Sequence, residues 1–271
     1  MQSTIFIHLN QNNIYYVKIT INSKYKDQEK AILYLAESFL QEGNLIVKGS
    51  RNTIKSNVLG NEKVNIKYFK KNGILKSFIY SFFRATKAQR SFNYANYLLE
   101  HNVFTPFPIA CIEYRNSFGW LGDSYYICEQ IDYDFTIREL IHNPLFPDRN
   151  TILEQFTAFT FKMHEANINF LDHSPGNTLI VKRDSKNYDF YLIDLNRMKF
   201  ESLSLDSRMD NFKKMWLSKT MVKVVAKTYS KLSNQPEDTL HAILLKKTIQ
   251  FKRKIAKKKF LKRKIGIHKK V

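Results

Sequence analysis

The chain contains the sequence FLDHSPGNTLIV at residues 170–181 and the sequence YLIDLN at residues 191–196. Asn177 follows Asp172 within a turn-rich loop, an apolar strand comes next, and a second apolar strand ends at Asp194. Kinase-like phosphotransferases use this order of residues: the first Asp orients an acceptor hydroxyl and takes its proton, while the Asn and the second Asp hold Mg²⁺ on the nucleotide phosphates.

The alternative is that these side chains only stabilise turns, which Asp and Asn commonly do. For an isolated Asp-x4-Asn pattern, the turn interpretation would be preferred, because short motifs often match by chance. Asp194 changes this balance, since a carboxylate at the end of an apolar strand needs a partner. The pattern therefore favours a phosphotransferase site.

Composition indicates an ordered globular protein in a reducing compartment. The 271 residues are 44% hydrophobic, which suits one large domain or two lobes with a substantial core. Cys111 and Cys128 are the only cysteines and form no metal-binding motif, so we expect two buried thiols. Neither a signal peptide nor a membrane-spanning run is evident, which predicts a cytoplasmic protein.

The net charge of +20 is concentrated at the C-terminus. Residues 246–271 contain thirteen Lys or Arg and no acid, whereas residues 1–245 carry 31 basic and 24 acidic side chains. The cations and apolar pairs recur every five residues, so the apolar pairs would spiral around a helix rather than line one face. Attraction to an anionic membrane, an acidic glycolipid or a nucleic acid is one interpretation, and a solubilising tail is the other.

The first half of the chain is rich in predicted strands. A strand is expected within residues 1–23, a helix at Ala31–Gln41, and a small antiparallel sheet formed by Leu45–Lys48, Thr53–Leu59 and Val64–Phe69. Helices at Leu75–Phe83 and Ala88–Glu100 and strands at Tyr114–Trp120 and Ser124–Ile131 follow.

Helices dominate the second half. A capping box at Thr151–Glu154 is expected to open the helix that leads to Asp172, and Asp206–Met221 and Met221–Leu232 are predicted helices. The pattern predicts an α+β, two-lobed, protein-kinase-like fold. Its predicted divisions are a small lobe at 1–130, a large lobe at 131–245 and a basic tail at 246–271.

Lys67 is the candidate phosphate-binding lysine. Val64-Asn65-Ile66-Lys67 has the form of the V-x-I-K strand that brings a Lys to the nucleotide phosphates, although most Lys at strand ends are merely solvated. Gly49, Ser50 and Arg51 stand where a phosphate loop would lie. Their backbone amides and the Arg51 side chain could reach phosphates, and an ordinary hairpin turn is the alternative.

The chain resembles the Kdo/heptose lipopolysaccharide kinase family, in the version found in Bacteroidetes-type bacteria, over residues 45–200. The resemblance is carried by KGSRNTIK (48–55), IKYFK (66–70), KAQRSF (87–92), TPFPIA (105–110), DHSPGN (172–177) and IDLNRM (193–198).

This resemblance implies an ATP-dependent transfer to a sugar hydroxyl, of Kdo or heptose, in the lipopolysaccharide inner core. It implies that Asp172 is the catalytic base, that Asn177 and Asp194 bind Mg²⁺, and that Lys67 binds ATP. A hinge is expected near Glu129–Asp134, with Glu129 and Ile131 contacting the nucleotide. The expected location is the cytoplasmic face of the inner membrane, with the basic tail on the anionic lipid surface and no specific nucleic acid as partner.

Two positions depart from the kinase pattern. Phe170 stands where many kinases have a structural His, and Asn93 stands where a helix Glu would pair with Lys67. Asn can accept a hydrogen bond from Lys but supplies no charge. Two other functions therefore stay open from the sequence: a kinase for a different small hydroxyl compound, such as an aminoglycoside- or choline-like acceptor, and a pseudokinase that binds membrane or nucleic acid.

Overall fold

The structure, a computed structural model, describes residues 2–10, 13–50, 52–70 and 85–264, with side chains from Tyr16 onward. The predicted helix Leu75–Phe83 and the candidate residue Arg51 lie outside these ranges. The chain divides into two compact units, Met1–Asp132 and Tyr133–Val271. Within the described ranges, no helix is long and apolar enough to cross a bilayer.

The first unit is built on a seven-stranded antiparallel sheet. Its strands in spatial order are β1 (Gln2–Asn10), β2 (Asn13–Ile21), β6 (Pro108–Asn116), β7 (Leu121–Glu129), β5 (Glu62–Phe69), β4 (Asn52–Leu59) and β3 (Asn44–Lys48). Two helices accompany the sheet, α1 (Glu29–Glu37) and α2 (Lys87–Glu100).

The two faces of this sheet carry different side chains, because successive side chains along a strand point to opposite faces. Ile32 and Phe39, from α1 and the turn that follows it, pack with Val64 and Ile66 of β5 and Ile127 of β7 in a buried apolar core. The alternate residues of β5 face the other way. The alternation thus turns Lys67 away from this core.

The N-terminus of α2 meets that second face. Thr86 caps the helix by accepting from the amide of Gln89, and its hydroxyl donates to Glu113 on β6 at 2.6 Å. Glu113 is paired in register with Ser124, which in turn is paired with Phe69, so these side chains share the face that carries Lys67. The Nζ atoms of Lys67 and Lys87 lie 5.6 and 5.8 Å from the ring centre of Phe69.

The second unit consists of short strands and helices. The strands β8 (Phe135–Thr136), β10 (Thr178–Lys182) and β11 (Tyr188–Leu192) form one small sheet, and β9 (Ile168–Phe170) pairs with β12 (Met198–Phe200). The helices are α3 (Ile137–His142), α4 (Arg149–Glu165), α5 (Leu205–Asn211), α6 (Lys219–Ser233) and α7 (Glu237–Lys264). They enclose an apolar core that includes Ile152, Phe156, Phe212, Val222 and Tyr229.

Most predicted strands and helices are present, and several boundaries differ for local reasons. Gln2–Asn10 and Asn13–Ile21 pair as two antiparallel strands, where a single strand was expected within residues 1–23. The strands predicted at Tyr114–Trp120 and Ser124–Ile131 each lie a few residues earlier, because Asn116 Oδ1 accepts from the amides of Phe118 and Trp120 and closes the turn there.

The predicted capping box at Thr151–Glu154 is wrong. The helix α4 begins at Arg149, so Thr151 already lies in its first turn. The capping box is instead at Thr136 and Glu139, where the Glu139 carboxylate accepts from the Thr136 amide at 2.9 Å and opens α3. The single helix predicted for Asp206–Met221 is also interrupted, because Trp216 takes a left-handed backbone (φ 58°) and Ser218 caps a new helix.

The basic C-terminal segment continues a helix of the second unit. The helix α7 crosses residue 245 without a break, although the shift in composition predicted a separate tail from residue 246. Leu240, Leu244 and Thr248 are buried, Phe251 packs edge-on against Trp216 at 5.7 Å, and Lys252 donates to the Leu217 carbonyl at 2.7 Å. The helix is therefore docked up to residue 252 and, apart from the half-buried Ile255, exposed from there to Lys264.

Two leucines of α7 provide a matched test of this division. Leu244 is fully buried and Leu261 is 47% exposed. We expect Leu244→Ala to lower the free energy of unfolding by about 2–5 kcal/mol, because it leaves a cavity in the core. Leu261→Ala should change it by about 0.5 kcal/mol or less. Urea unfolding followed by Trp216 fluorescence in a Trp120→Phe background measures both, and equal losses would contradict the docked arrangement.

Candidate active site

The loop that carries Asp172 is held by strands on both sides. Phe170 ends β9 opposite Met198 of β12, and the amide of Leu171 donates to the Arg197 carbonyl at 2.9 Å. Pro175–Asn177 form one 3-10 turn, and Thr178 starts β10. Phe170, which departs from the kinase pattern, is fully buried, so its apolar side chain serves the core below the loop.

The structure brings Asp172 and Asn177 together. The Asn177 side-chain amide donates to the backbone carbonyl of Asp172 at 2.9 Å. The Asn177 carbonyl then accepts from the amide of Ile193 at 3.0 Å, which brings the residue before Asp194 to the same loop. These two bonds join the three predicted site residues of this unit in one framework, and they leave Asn177 Oδ1 with no donor among the described residues.

Asp194 follows β11 in a left-handed conformation with φ 59°, which is uncommon for a residue other than glycine. Its carboxylate is exposed and accepts from Asn196 Nδ2 at 3.2 Å. Leu195, the next residue, is buried at 3% exposure. The unusual backbone thus turns the carboxylate outward while the following side chain enters the core.

Asn211 holds the loop in place through hydrogen bonds on its buried side. This buried residue at the end of α5 donates from Nδ2 to the Phe170 carbonyl at 2.9 Å and to Asn169 Oδ1 at 3.1 Å. Its Oδ1 lies 2.7 Å from Nδ1 of His173. Because both Nδ2 protons of Asn211 are used as donors, its Oδ1 accepts, and the network assigns the His173 proton to Nδ1.

The Asp172 carboxylate is partly exposed and flanked by cations. Lys214 Nζ lies 3.0 Å from Oδ1, and Arg197 Nη1 lies 3.9 Å from Oδ2. The Asp172 side chain retains 32% of its exposure, so a substrate hydroxyl can reach it. The carboxylate is therefore accessible and forms ion pairs with Lys214 and Arg197.

Lys67 lies on β5 as predicted and is 8% exposed. It is paired in register with Tyr126 of β7, and its positive charge acts on the neighbouring Cys128 thiol. Burial is the largest effect on that thiol and raises the pKa of Cys128 to about 12, so the cysteine is protonated at neutral pH. Lys67 therefore lies beside the second half of β7. Val64, three positions earlier on β5, is the register partner of Glu129, the first residue of the predicted hinge.

The predicted pairing of Asn93 with Lys67 is wrong. Asn93 is on the exposed side of α2, where its Oδ1 accepts from Gln89 Nε2 at 2.8 Å. The buried side of the helix is formed by its neighbours, among them Phe92 and Ala95. A difference of one position in helical phase is enough to move a side chain from the buried to the exposed side.

Gly49 and Ser50 form the hairpin turn between β3 and β4, in the position predicted for a phosphate loop. The Gly49 amide donates to the Asn52 carbonyl at 2.9 Å, and a Cβ at Gly49 would lie 3.0 Å from Asn52 Oδ1. Both residues are exposed. The third residue of the predicted loop, Arg51, is outside the described residues.

Glu129 and Ile131 lie at the end of β7 and just beyond it. The Glu129 amide donates to the Phe107 carbonyl at 2.9 Å, and its carboxylate accepts from the Tyr25 hydroxyl at 3.1 Å. Burial, followed by hydrogen bonding to Glu62, raises the pKa of Tyr25. The Ile131 carbonyl accepts from Gln130 Nε2 at 3.0 Å.

A cavity of about 670 Å³ adjoins this segment in the first unit. It is lined by residues of β3, β4, β5 and the hinge segment, including Ile46, Ser56, Val58, Lys63 and Gln130. Val58 is paired with Lys63, and Ser56 with Asn65, two positions before Lys67. The cavity therefore lies on the same face of the sheet as Lys67.

Three residues beside the predicted site were missed from the sequence: Asn211, Lys214 and Arg138. Asn211 had a weak signal, as a polar residue among the apolar positions of a helix. Lys214 had none in a chain with 44 basic residues. Arg138 is revealed by Gly176, where a Cβ would lie 2.5 Å from Arg138 Nη2, so this guanidinium packs on the loop between Asp172 and Asn177.

The antiparallel sheet with its lysine strand and helix, followed by a loop that joins an Asp, an Asn and a second Asp, defines a protein-kinase-like phosphotransferase. The profile of the lipopolysaccharide kinase (Kdo/WaaP) family matches residues 37–235, and the chain belongs to that family. It is accordingly a kinase for sugars of the lipopolysaccharide core. Membership of this family favours a lipopolysaccharide sugar as acceptor over an aminoglycoside- or choline-like compound.

A solved structure described as "WaaP in complex with acyl carrier protein" has the same fold. It superposes with a TM-score of 0.63 at 14% sequence identity and covers 88% of this chain and 98% of that chain. No curated protein matches the chain significantly in sequence. The structural similarity therefore confirms the α+β kinase-like fold that the sequence predicted.

Two buried histidines make stability depend on pH. Burial lowers the pKa of His173 to about 4 and that of His164 to about 3. The unfolded chain takes up protons on both below about pH 6.5, while the folded protein keeps them neutral. Stability should therefore fall as the pH drops from 6.5 towards 4, with each histidine contributing at most about 1.4 kcal/mol per pH unit.

Urea unfolding between pH 7 and pH 5 measures this loss. His173→Gln should flatten the dependence, whereas His142→Gln, at an exposed position, should leave it unchanged. Parallel curves for the parent and His173→Gln would contradict the assignment of a neutral buried imidazole.

The packing of Arg138 on Gly176 can be measured by a double-mutant cycle. Gly176→Ala should destabilise the protein, because the new methyl group displaces the guanidinium. Arg138→Ala removes the obstacle, so the double variant should be more stable than the sum of the single effects predicts, by about 0.5–3 kcal/mol. Strictly additive unfolding free energies would show that the two residues do not contact each other.

Proposed function

We propose that the chain transfers the γ-phosphate of Mg·ATP to a Kdo or heptose hydroxyl of the lipopolysaccharide inner core, with Asp172 as the base. The observation that carries the proposal is the framework in which Asn177 bonds to the Asp172 carbonyl and to the residue before Asp194. The three residue types, their order and their spacing match the requirements of phosphoryl transfer.

Asp172 acts on the acceptor. One oxygen of its partly exposed carboxylate accepts the hydrogen bond of the sugar hydroxyl, and this contact orients the hydroxyl oxygen towards the γ-phosphorus. As the new O–P bond forms and the bond to ADP breaks, the hydroxyl proton passes to Asp172. General-base and orienting roles of this kind contribute about 10²–10⁴-fold to the rate.

Asn177 and Asp194 suit Mg²⁺ by their chemistry. The Asn177 amide oxygen has no donor among the described residues, and the Asp194 carboxylate is exposed. Mg²⁺ is usually held by one or two carboxylates together with substrate phosphates and waters, rather than by a full protein cage. This agrees with the lack, among the described residues, of any cluster of three or more His, Cys, Asp or Glu suited to a metal. When bound, the ion neutralises charge on the phosphates.

The residues proposed to bind ATP are Lys67, Gly49, Ser50, Arg51, Glu129 and Ile131. The position of Lys67 on the face that carries the 670 Å³ cavity supports this role, because that cavity adjoins the hinge segment. The Glu129 carboxylate already accepts from Tyr25, so Glu129 would contribute its backbone. Among the described residues none accepts from the Ile131 amide, which suits a donor to the nucleobase.

The catalytic assignment is tested by three Asp→Asn variants in the second unit. We expect Asp172→Asn to lower turnover on a purified lipid A–core acceptor by about 10²–10⁴-fold and to keep nucleotide affinity. Asp194→Asn should also weaken Mg²⁺-dependent nucleotide binding, because it removes a charged ligand. Asp189→Asn, on β11, removes the same charge from a surface ion pair with Arg183 and should be active. Full activity of Asp172→Asn would rule out its role as base.

We further propose that the exposed end of α7 binds the anionic membrane that carries the acceptor. Residues 253–264 contain eight Lys or Arg and no acid, and at 1.5 Å per residue they extend about 18 Å. Pairs such as Lys254/Lys258 and Lys258/Lys262 repel each other at i,i+4. An anionic leaflet would relieve that repulsion and attract each cation by about 1 kcal/mol.

Vesicle binding by two charge-matched variants shows whether the location of the positive charges on α7, rather than the net charge of the protein, determines membrane binding. The triple variant Lys257→Gln, Lys258→Gln, Lys259→Gln should bind phosphatidylglycerol vesicles weakly at low salt. A control with Gln at the exposed Lys219, Lys223 and Lys227 of α6 loses the same charge and should bind like the parent. Equal losses in both variants would leave only a non-specific effect of net charge, and so contradict the proposal.

A further inference from the structure

Lys214 forms hydrogen bonds with Leu171 and Asp172, the first two residues of the proposed catalytic loop. It lies in the 3-10 turn Phe212–Met215, and its Nζ is 3.0 Å from Asp172 Oδ1 and 2.6 Å from the Leu171 carbonyl. The side chain is 28% exposed, so these contacts are partly shielded from water. A single ammonium group therefore fixes one oxygen of the proposed base and the backbone just before it.

The turn that carries Lys214 is itself rigidly held. Phe212 and Met215 are fully buried, and Asn211, directly before the turn, makes the three hydrogen bonds that anchor the loop. The loop from Asp172 to Asn177 contains no basic residue other than His173, which is buried and neutral. The cation nearest to Oδ1 thus comes from a separate segment, about forty residues later in the chain, that is tied to the same loop.

The two oxygens of Asp172 differ in their surroundings. Oδ1 accepts a hydrogen bond from Lys214 at 3.0 Å, whereas Oδ2 faces Arg197, whose Nη1 lies 3.9 Å away and whose side chain is 67% exposed. An oxygen that already accepts from an ammonium group is the poorer proton acceptor. The sugar hydroxyl would therefore hydrogen-bond to Oδ2.

We propose that Lys214 is a positioning residue of the phosphoryl transfer, an inference that rests on the proposed role of Asp172. Its ammonium group holds Oδ1 and turns Oδ2 towards the acceptor hydroxyl. In the reaction the hydroxyl proton passes to Oδ2 while the sugar oxygen bonds to the γ-phosphorus and ADP leaves. Lys214 stays protonated throughout and gives up no proton.

Steady-state kinetics of three variants, with ATP and purified lipid A–core, test this role. Lys214→Met should lower kcat by about 10–100-fold, since a misplacement of about 1 Å can cost about 10²-fold, and leave the KM for ATP within about twofold. Lys214→Arg should recover most of the activity, because it can still donate to Oδ1. Lys213→Met is the matched control. Lys213 is the residue next to Lys214, but its side chain pairs with Asp210 rather than with Asp172, so kcat should be unchanged.

The double variant Asp172→Asn, Lys214→Met separates positioning from direct contact with substrate. If Lys214 acts only through Asp172, adding Lys214→Met to Asp172→Asn should cause no further loss in kcat. A further tenfold loss would overturn the proposal, because Lys214 would then act on the substrate itself. So would full activity of Lys214→Met, or a Lys214→Arg variant as impaired as Lys214→Met.

The failures of the two proposals are distinguishable. An active Asp172→Asn variant would refute the role of Asp172 as the base and, with it, the positioning role of Lys214. An inactive Asp172→Asn variant together with an active Lys214→Met variant would refute only Lys214. If Lys214→Met lowers the melting temperature, Lys214→Arg becomes the deciding variant because it keeps the charge: recovered kcat supports positioning and unrecovered kcat overturns it.

Discussion

The active-site loop of the second unit depends on Asn211. This buried amide donates to the Phe170 carbonyl and Asn169 and accepts from His173, so it ties strand, loop and α5 to one another. A buried polar group left without its partner costs about 1–3 kcal/mol, which makes such a network stable only when it is complete. The segment after Asn211 then carries Lys214 to Asp172, and Asn177 closes the loop from its other end.

The candidate site residues were predictable from sequence to the extent that they lie in one short stretch. Asp172 and Asn177 share a single loop, and Asp194 ends the strand pair that follows, so local order and spacing revealed them. The V-x-I-K pattern likewise placed Lys67 on the third strand of the predicted small antiparallel sheet, which is β5 in the structure. Their positions follow from strand and turn periodicity, which a sequence records directly.

Residues whose role depends on long-range packing could not be predicted in the same way. Asn211 and Lys214 reach the loop from about forty residues away, and nothing near them in the sequence resembles a site. Asn93 was misassigned because one step in helical phase decides which side of α2 a residue occupies. The continuity of α7 was missed because composition changes at residue 246, whereas burial of Leu240, Leu244 and Thr248 determines where the helix is docked.

We expect Asp172 and its loop to transfer phosphate from ATP to a sugar of the lipopolysaccharide core. The most direct measurement is the fate of the γ-phosphate, followed with γ-³²P-labelled ATP, Mg²⁺ and purified deacylated core oligosaccharide. The parent enzyme should place the label on a sugar hydroxyl of the core in an acid-stable phosphate ester. Label found only in inorganic phosphate, or no turnover with any core acceptor while ATP still binds, would contradict it.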